Sequence, residues 1–138
     1  MRILLVTHLF APRIGGIETM SLLLARAFIT RGHEVHIVTA TPSESPTDDQ
    51  DMTVIRCPNR KTLVREVEWS SICFHNNICL SFSWPLLFGK RPWVVTTQTW
   101  IERTDGSRGW REHLKRLILR RARSVSISRP IADSLPVP

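Results

Sequence analysis

The sequence has no tyrosine and only three cysteines among its 138 residues. Cys57, Cys73 and Cys79 form no C-x-x-C pair, and an odd, scattered set argues against a disulfide framework. Unpaired cysteines are instead typical of a reducing compartment, so we predict a cytoplasmic protein. Cys73, His75 and Cys79 match no common zinc spacing, and buried thiols explain these cysteines better than a metal site does.

Two glycine-rich nucleotide motifs are also missing. The loop after the apolar run at residues 3–6 extends from Thr7 to Gly16 and holds only two glycines, Gly15 and Gly16. A dinucleotide fingerprint needs three glycines in a tight turn directly after the strand, and a P-loop needs Gly-Lys-Ser/Thr. The sequence therefore disfavours hydride transfer with a bound dinucleotide and P-loop nucleotide hydrolysis.

Acidic residues are scarce, with 12 against 19 lysines and arginines, for a net charge of +7. The excess is concentrated near residues 110–122, a predicted amphipathic helix. Its predicted inner face holds Trp110, Leu114, Leu117, Ile118 and Ala122, and its basic side holds Arg111, Lys115, Arg116 and Arg120. Such a side is most often simply solvated, but it also fits an anionic membrane surface, at about 1 kcal/mol per basic residue. Aromatic residues do not alternate with the basic ones, so we predict no nucleic-acid partner.

Residues 70–89 lack any charged side chain, a length that could span a bilayer. The segment nevertheless contains His75, Asn76, Asn77 and Pro85. We therefore predict a buried strand followed by a short core helix.

Strand and helix patterns alternate along the whole chain. The predicted strands are 2–7, 34–40, 52–56, 71–74, 93–97 and 124–128, and the predicted helices are 17–31, 80–88, 110–122 and 130–135. Residues 60–68 permit another short helix, and 41–51 and 103–109 are predicted loops. The first helix should bury Met20, Leu23, Leu24, Ala27 and Phe28. This alternation predicts one α/β domain over residues 1–138, a Rossmann-like, mostly parallel sheet with helices on both faces.

Gly15 and Gly16 lie between the first strand and the first helix. Glycine has no Cβ, so a ligand can approach its backbone closely, and a helix N-terminus offers free N–H groups with partial positive charge. Together these features predict a phosphate seat. A plain strand-to-helix turn explains the glycines equally well.

The opening run ILLVTHLFAPRIGGIETMSLLLARAFITRGHEVHIVTA resembles that of a family 4 glycosyltransferase. Weaker similarities follow in SSICFHNN, RPWVVTTQTW and ARSVSISRPIADSL. The resemblance covers essentially the whole chain and implies the N-terminal, acceptor-side half of a GT-B enzyme, whose second Rossmann-like domain holds most of the nucleotide sugar. It also implies sugar transfer without a metal or other cofactor, the nucleotide sugar being a substrate.

The resemblance assigns roles to individual residues. Gly15 and Gly16 match the loop near the donor diphosphate, whereas Glu18 is interpreted as a favourable first-turn charge. On the acceptor side it places a group of residues at the ends of two strands and in the loop that follows, namely His75, Asn76, Gln98, Trp100 and Arg103.

Two of these assignments leave alternatives open. His75 and Asn76 fit a ligand site at a strand end, or simply a polar end that meets solvent. Gln98 occupies a slot where the family commonly has histidine, so it is the only catalytic candidate. Glutamine cannot carry a proton near neutral pH. Either the position serves binding alone, or the register differs by one residue.

We therefore expect a glycosyltransferase domain that acts on a sugar or lipid-linked acceptor. The fragment alone should be inactive and should need its C-terminal domain or a partner subunit. The alternative is a non-catalytic Rossmann-like module that docks on a membrane or partner through the basic helix. In either case we expect a cytoplasmic location, peripheral at the inner membrane face if that helix binds lipid.

Overall fold

Six parallel strands form the centre of the molecule. The computed structural model describes residues 1–42, 52–99 and 109–135. The strands are β1 (Arg2–Thr7), β2 (Glu34–Thr39), β3 (Thr53–Arg56), β4 (Ile72–Asn76), β5 (Trp93–Thr97) and β6 (Arg123–Ser126). Their order in the sheet is β3-β2-β1-β4-β5-β6, and every neighbouring pair is parallel. The predicted Rossmann-like α/β class is confirmed.

Helices connect most of these strands. They are α1 (Gly16–Thr30), α2 (Arg60–Trp69), α3 (Leu80–Phe88), α4 (Trp110–Leu119) and α5 (Arg129–Ser134). Gly32, with φ of +77°, follows the end of α1 as the sequence predicted. The helix that residues 60–68 only permitted is present, and the Asn59 side chain caps it by accepting from the Thr62 N–H at 2.8 Å.

The sheet is covered on both faces, as a parallel sheet requires. Residues Ile3–Thr7 of β1 are at most 4% exposed. Leu4 and Val6 pack with α2, α3 and α4 on one face, whereas Ile3 and Leu5 pack with α1 on the other. This alternation follows from the period of two along a strand.

The buried side of α1 differs in part from the prediction. Leu24 and Phe28 pack against the core as predicted. Met20 and Leu23 are 42% and 54% exposed, and the residues that α1 buries most deeply are Glu18, Ser21 and Ala25. The apolar spacing was misleading because the small Ser21 and Ala25 let the helix approach the strands closely. The side of α1 that packs against the sheet is therefore centred on these small residues.

The inner face predicted for the basic helix is also partly wrong. Ile118 and Ala122 are buried as predicted, and Leu119 joins them, but Trp110 and Leu117 are 69% and 55% exposed. Ile118 and Leu119 are adjacent in the sequence, so both face the sheet only if the buried face of the helix is centred between them. The helix is therefore rotated about its axis relative to the prediction, and Leu117 faces outward.

Residues 70–89, the uncharged segment, form β4, α3 and their connection. The predicted strand and core helix are therefore confirmed. Across residues 1–42, 52–99 and 109–135, no helix combines the length and the apolar character that a bilayer crossing needs.

The strand order reverses between β1 and β4. From β1 the chain proceeds outward to β2 and β3 and then returns to β4 on the other side of β1. The connections leave in opposite directions at this point, so a crevice opens at the carboxyl ends of the two strands. In open α/β sheets, ligands bind at this topological switch point.

Candidate functional site

A cavity of about 730 Å³ lies at the carboxyl ends of β1 and β4. This volume is within the range that small-molecule sites occupy. Its walls come from the loop after β1, the start of α1, the β4–α3 connection and α4. They comprise His8, Leu9, Ile17, Asn76, Asn77, Ile78, Cys79, Leu80, Ser81, Trp110, Arg111, Leu114 and Lys115. We call this space the switch-point cavity.

The Asn76 side chain holds this end of the sheet together. Its Nδ2 donates to the Ile17 carbonyl at 3.1 Å and to Ser21 Oγ at 2.7 Å, both in α1. Its Oδ1 accepts from Thr96 Oγ1 at 2.9 Å and from Gln98 Nε2. Both amide protons and both lone pairs are thus used, in a side chain that is 0% exposed.

The hydrogen bonds continue from Ser21 to the loop after β1. Ser21 Oγ donates to Thr7 Oγ1 at 3.0 Å, and Thr7 Oγ1 donates to the Leu9 carbonyl at 2.8 Å. Ser21 Oγ also lies 2.8 Å from the Ile17 carbonyl, which competes for its one proton. These polar contacts connect β5 through β4 and α1 to β1 and anchor the Leu9 carbonyl at the cavity rim.

Asn76 and Gln98 were predicted to bind the acceptor. The structure brings them together, but with each other: the Gln98 amide nitrogen donates to Asn76. Asn76 lines the cavity with its hydrogen-bonding capacity already filled, so its role is to position its neighbours. Trp100 and Arg103, predicted for the same site, lie outside the described residues.

His75 does not reach the cavity, which corrects its predicted role. The predicted strand ended at Phe74, whereas β4 continues to Asn76. His75 therefore lies within the strand, and its side chain is buried in the core. It is 0% exposed, lies 5.2 Å from the Trp93 ring, and has no hydrogen-bond partner at either ring nitrogen among the described residues. Burial lowers the pKa of His75 from 6.5 to about 3, because a low-dielectric interior disfavours the charged imidazolium.

The two glycines differ in their surroundings. A Cβ at Gly15 would collide with the Glu18 carboxylate, whereas a Cβ at Gly16 would meet nothing within 4 Å. Glu18 is 8% exposed and lies in the first turn of α1, where the helix dipole favours its charge, as the sequence indicated. An acidic side chain therefore occupies the Gly15 side of the predicted phosphate seat, and the Gly16 side is open.

His8 and Cys79 line the cavity, although the sequence assigned neither to it. Cys79 Sγ lies 3.6 Å from His8 Nδ1 and 3.1 Å from Ser81 Oγ. His8 directly follows a buried strand, and this position at a strand's carboxyl end was the signal that could have identified it. Cys73, by contrast, lies in the core, and burial raises its pKa to about 11.

The four basic residues predicted to face a membrane do not share one surface. Arg111 and Lys115 line the switch-point cavity. Arg116 is half-buried and donates to the Ser134 carbonyl at 3.2 Å, whereas Arg120 is exposed. The tertiary packing of α4 separates them, which charge counting along the sequence could not show.

A second hollow of about 710 Å³ lies along α2. Arg60, Lys61 and Arg65 line it together with Glu68 and Trp84, but no strand end does. Within the described ranges, no group of three or more His, Cys, Asp or Glu side chains is placed to hold a metal ion.

We predict that Asn76→Ala lowers the free energy of unfolding by about 3 kcal/mol, because it leaves several buried polar groups without partners. Asn59→Ala is the matched control: it removes the same side chain at an exposed helix cap with one hydrogen bond and should cost about 1 kcal/mol. Urea unfolding of both variants measures the difference. Equal losses would contradict the role given to Asn76.

We also predict that His75 makes the protein less stable in mild acid. The pKa is 6.5 in the unfolded chain and about 3 in the fold, so protons bind preferentially to the unfolded chain between these values. The free energy of unfolding should therefore fall as the pH drops below 6.5, by about 2 kcal/mol between pH 7 and pH 5 from this group alone.

The variant His75→Leu isolates this contribution, because leucine fills a similar volume and has no proton to bind. It should fold and lack this part of the pH dependence in urea unfolding at pH 7, 6 and 5. Parallel pH profiles for the variant and the parent would show that His75 does not titrate as described.

No protein-family model matches the chain, and no curated protein is similar to it in sequence. It is similar in structure to an alpha-glucosyltransferase in complex with UDP and a 13-mer DNA containing a central A:G mismatch, at 18% identity and a TM-score of 0.60. That match covers 94% of this chain and 37% of the other.

A second similar structure is a protein assigned as an NAD-dependent epimerase/dehydratase from Methylobacillus flagellatus, at 15% identity and a TM-score of 0.54. It covers 91% of this chain and 52% of the other, so the chain spans less than two thirds of either protein's length. These similarities confirm the Rossmann-like fold.

Proposed function

We propose that this chain is the acceptor-side half of a glycosyltransferase of the family 4 type, which transfers a sugar from a nucleotide-sugar donor to an acceptor. The switch-point cavity is the observation that carries the proposal. It combines apolar walls, which suit a sugar ring, with hydroxyl, amide and cationic groups that can fix its orientation.

The donor diphosphate would bind beside Gly16, where the backbone at the start of α1 is open. Gly16 adjoins Ile17, which lines the switch-point cavity, so a donor here would present its sugar to that space. The helix N-terminus supplies N–H groups and partial positive charge toward the phosphates. The Glu18 carboxylate opposes this attraction, so donor binding needs Glu18 to be screened or to turn away.

The acceptor would occupy the switch-point cavity itself. Asn77 and His8 offer polar groups at its rim, and the exposed Trp110 ring offers a face on which a sugar can stack. Trp100 and Arg103 remain proposed acceptor contacts. Gln98 does not line the cavity and donates to Asn76, so we no longer assign it or His75 to the acceptor. The leaving diphosphate would be stabilised electrostatically, largely by groups of the donor-side domain that the resemblance implies.

One observation favours the alternative, a non-catalytic docking module. Trp110 and Leu117 expose apolar surface on α4, and Arg120 on the same helix is exposed as well. An apolar stripe beside a cation suits the interface of an anionic membrane. The two candidates share Trp110 and otherwise differ in the surface that binds: Leu117 and Arg120 of α4 for docking, and the cavity with the Gly16 backbone for catalysis.

Binding of nucleotide sugars to the isotope-labelled chain tests the proposal. We expect the backbone amide resonances of Gly16 and Ile17 to shift with at least one of UDP-glucose, GDP-mannose and ADP-glucose, and not with NAD⁺. Gly16→Ala should weaken this binding about tenfold, since a methyl group screens the amide while the fold has room for it. Glu18→Gln should strengthen it several-fold by removing a like charge.

Gly89→Ala is the matched control, because Gly89 does not line the switch-point cavity and its added methyl meets only the Pro85 carbonyl, at 3.4 Å. It should bind like the parent. If none of the three nucleotide sugars shifts the Gly16 amide resonance, the proposal is overturned. Binding to anionic vesicles in that case would favour the docking module.

A further inference from the structure

We propose that Arg111 and Lys115 form a phosphate-binding subsite in the switch-point cavity, and that the acceptor is therefore a sugar or polyol that carries a phosphate. This inference rests on the proposed function and names the substrate class of its acceptor site. It also replaces the membrane-facing role that the sequence suggested for these two residues.

Geometry places the two cations together. They are four residues apart on α4, so they lie on the same side of the helix, one turn from each other. Both line the cavity, Arg111 from an exposed position and Lys115 from a half-buried one, whereas the exposed Arg120 does not line it. The Arg111 guanidinium lies 5.4 Å from the centre of the Trp110 ring, a cation–π contact with another residue that lines the cavity.

The described lining of the cavity carries charge of one sign. None of the described residues that line it is acidic, and neither Arg111 nor Lys115 has an ion-pair partner in the described part of the chain. The acidic residue of α4, Glu112, is buried and does not line the cavity. Cations of one sign in a hollow with apolar walls focus the electrostatic field and attract an anion.

Two polar residues of the lining support the same ligand. They are Ser81, whose hydroxyl can donate, in the first turn of α3, and Asn77, which directly follows β4. Phosphate oxygens accept from guanidinium, ammonium and hydroxyl donors alike. Leu9, Ile78 and Leu114 line the remainder with apolar surface, which suits the carbon face of a sugar or polyol rather than a second charge.

The concave shape argues for a small molecule and against a bilayer. Lys115 is half-buried, and both cations border a hollow of about 730 Å³, a shape that surrounds a small molecule better than it meets a flat headgroup layer. The α2 hollow is also basic, but Glu68 lies among its cations and weakens its attraction for anions. The switch-point cavity is thus the better anion site of the two.

Calorimetric titration with glucose 6-phosphate, against glucose, tests the subsite. We expect the phosphate ester to bind and glucose to bind at least tenfold more weakly. The double variant Arg111→Gln/Lys115→Gln should lose at least tenfold in affinity for glucose 6-phosphate. Arg120→Gln, an exposed charge on the same helix, should stay within twofold, and thermal melting should confirm that both variants fold.

A UDP-glucose titration followed at the Gly16 amide separates the acceptor phosphate from the donor diphosphate. The double variant should keep the parent's response, because the donor seat lies at α1. Equal loss of both ligands would assign the two cations to the donor, and equal loss in Arg120→Gln would reveal only general charge attraction. Either result overturns the inference, and so does failure of glucose 6-phosphate to bind. If the Gly16 amide still responds to UDP-glucose, the proposed function stands even though the phosphate subsite is rejected.

Discussion

The buried amide of Asn76 is the interaction on which this end of the molecule depends. It connects β4 to the first turns of α1 on one side and to the end of β5 on the other. A parallel sheet leaves a crevice where its strand order reverses, and this crevice keeps its shape only if the elements around it are fixed relative to one another. One side chain with four filled hydrogen-bonding positions does this, and Ser21 extends the connection to Thr7.

The neighbouring His75 shows why the sequence indicated the fold better than the site. Apolar runs and glycines placed the strands and most of the helices within a few residues of their observed bounds, since these signals are local. Extending β4 by two residues, however, turns His75 into the core and Asn76 toward α1. Two adjacent polar residues near a strand end give no local signal about where that end falls, so their opposite roles follow only from the strand's true length.

The cavity's charge was beyond sequence reasoning for a different reason. Arg111 and Lys115 lie more than thirty residues after Asn76 in the chain, and the orientation of α4 decides which of its basic residues face the cavity. That orientation depends on the burial of Ile118 and Leu119 against the sheet. The role of Glu18 was likewise only partly predictable. The sequence placed it in the first turn of α1, but only the packing shows that its carboxylate covers Gly15.

Charges of both signs thus divide the crevice into regions. The carboxylate of Glu18 lies at the start of α1, against Gly15, whereas Arg111 and Lys115 of α4 line the cavity. An anionic substrate is attracted to the second region and disfavoured beside the first. The central claim is therefore that the cations of α4 make the switch-point cavity the stronger site for a phosphate group, and that the donor seat beside Glu18 is the weaker one.

Anomalous diffraction from crystals soaked in tungstate, a heavy-atom mimic of phosphate, tests that claim most directly. The account predicts that the strongest anomalous peak lies in the switch-point cavity, within contact distance of Arg111 and Lys115. A strongest peak in the α2 hollow, beside Arg60 and Arg65, with none in the cavity, would contradict it.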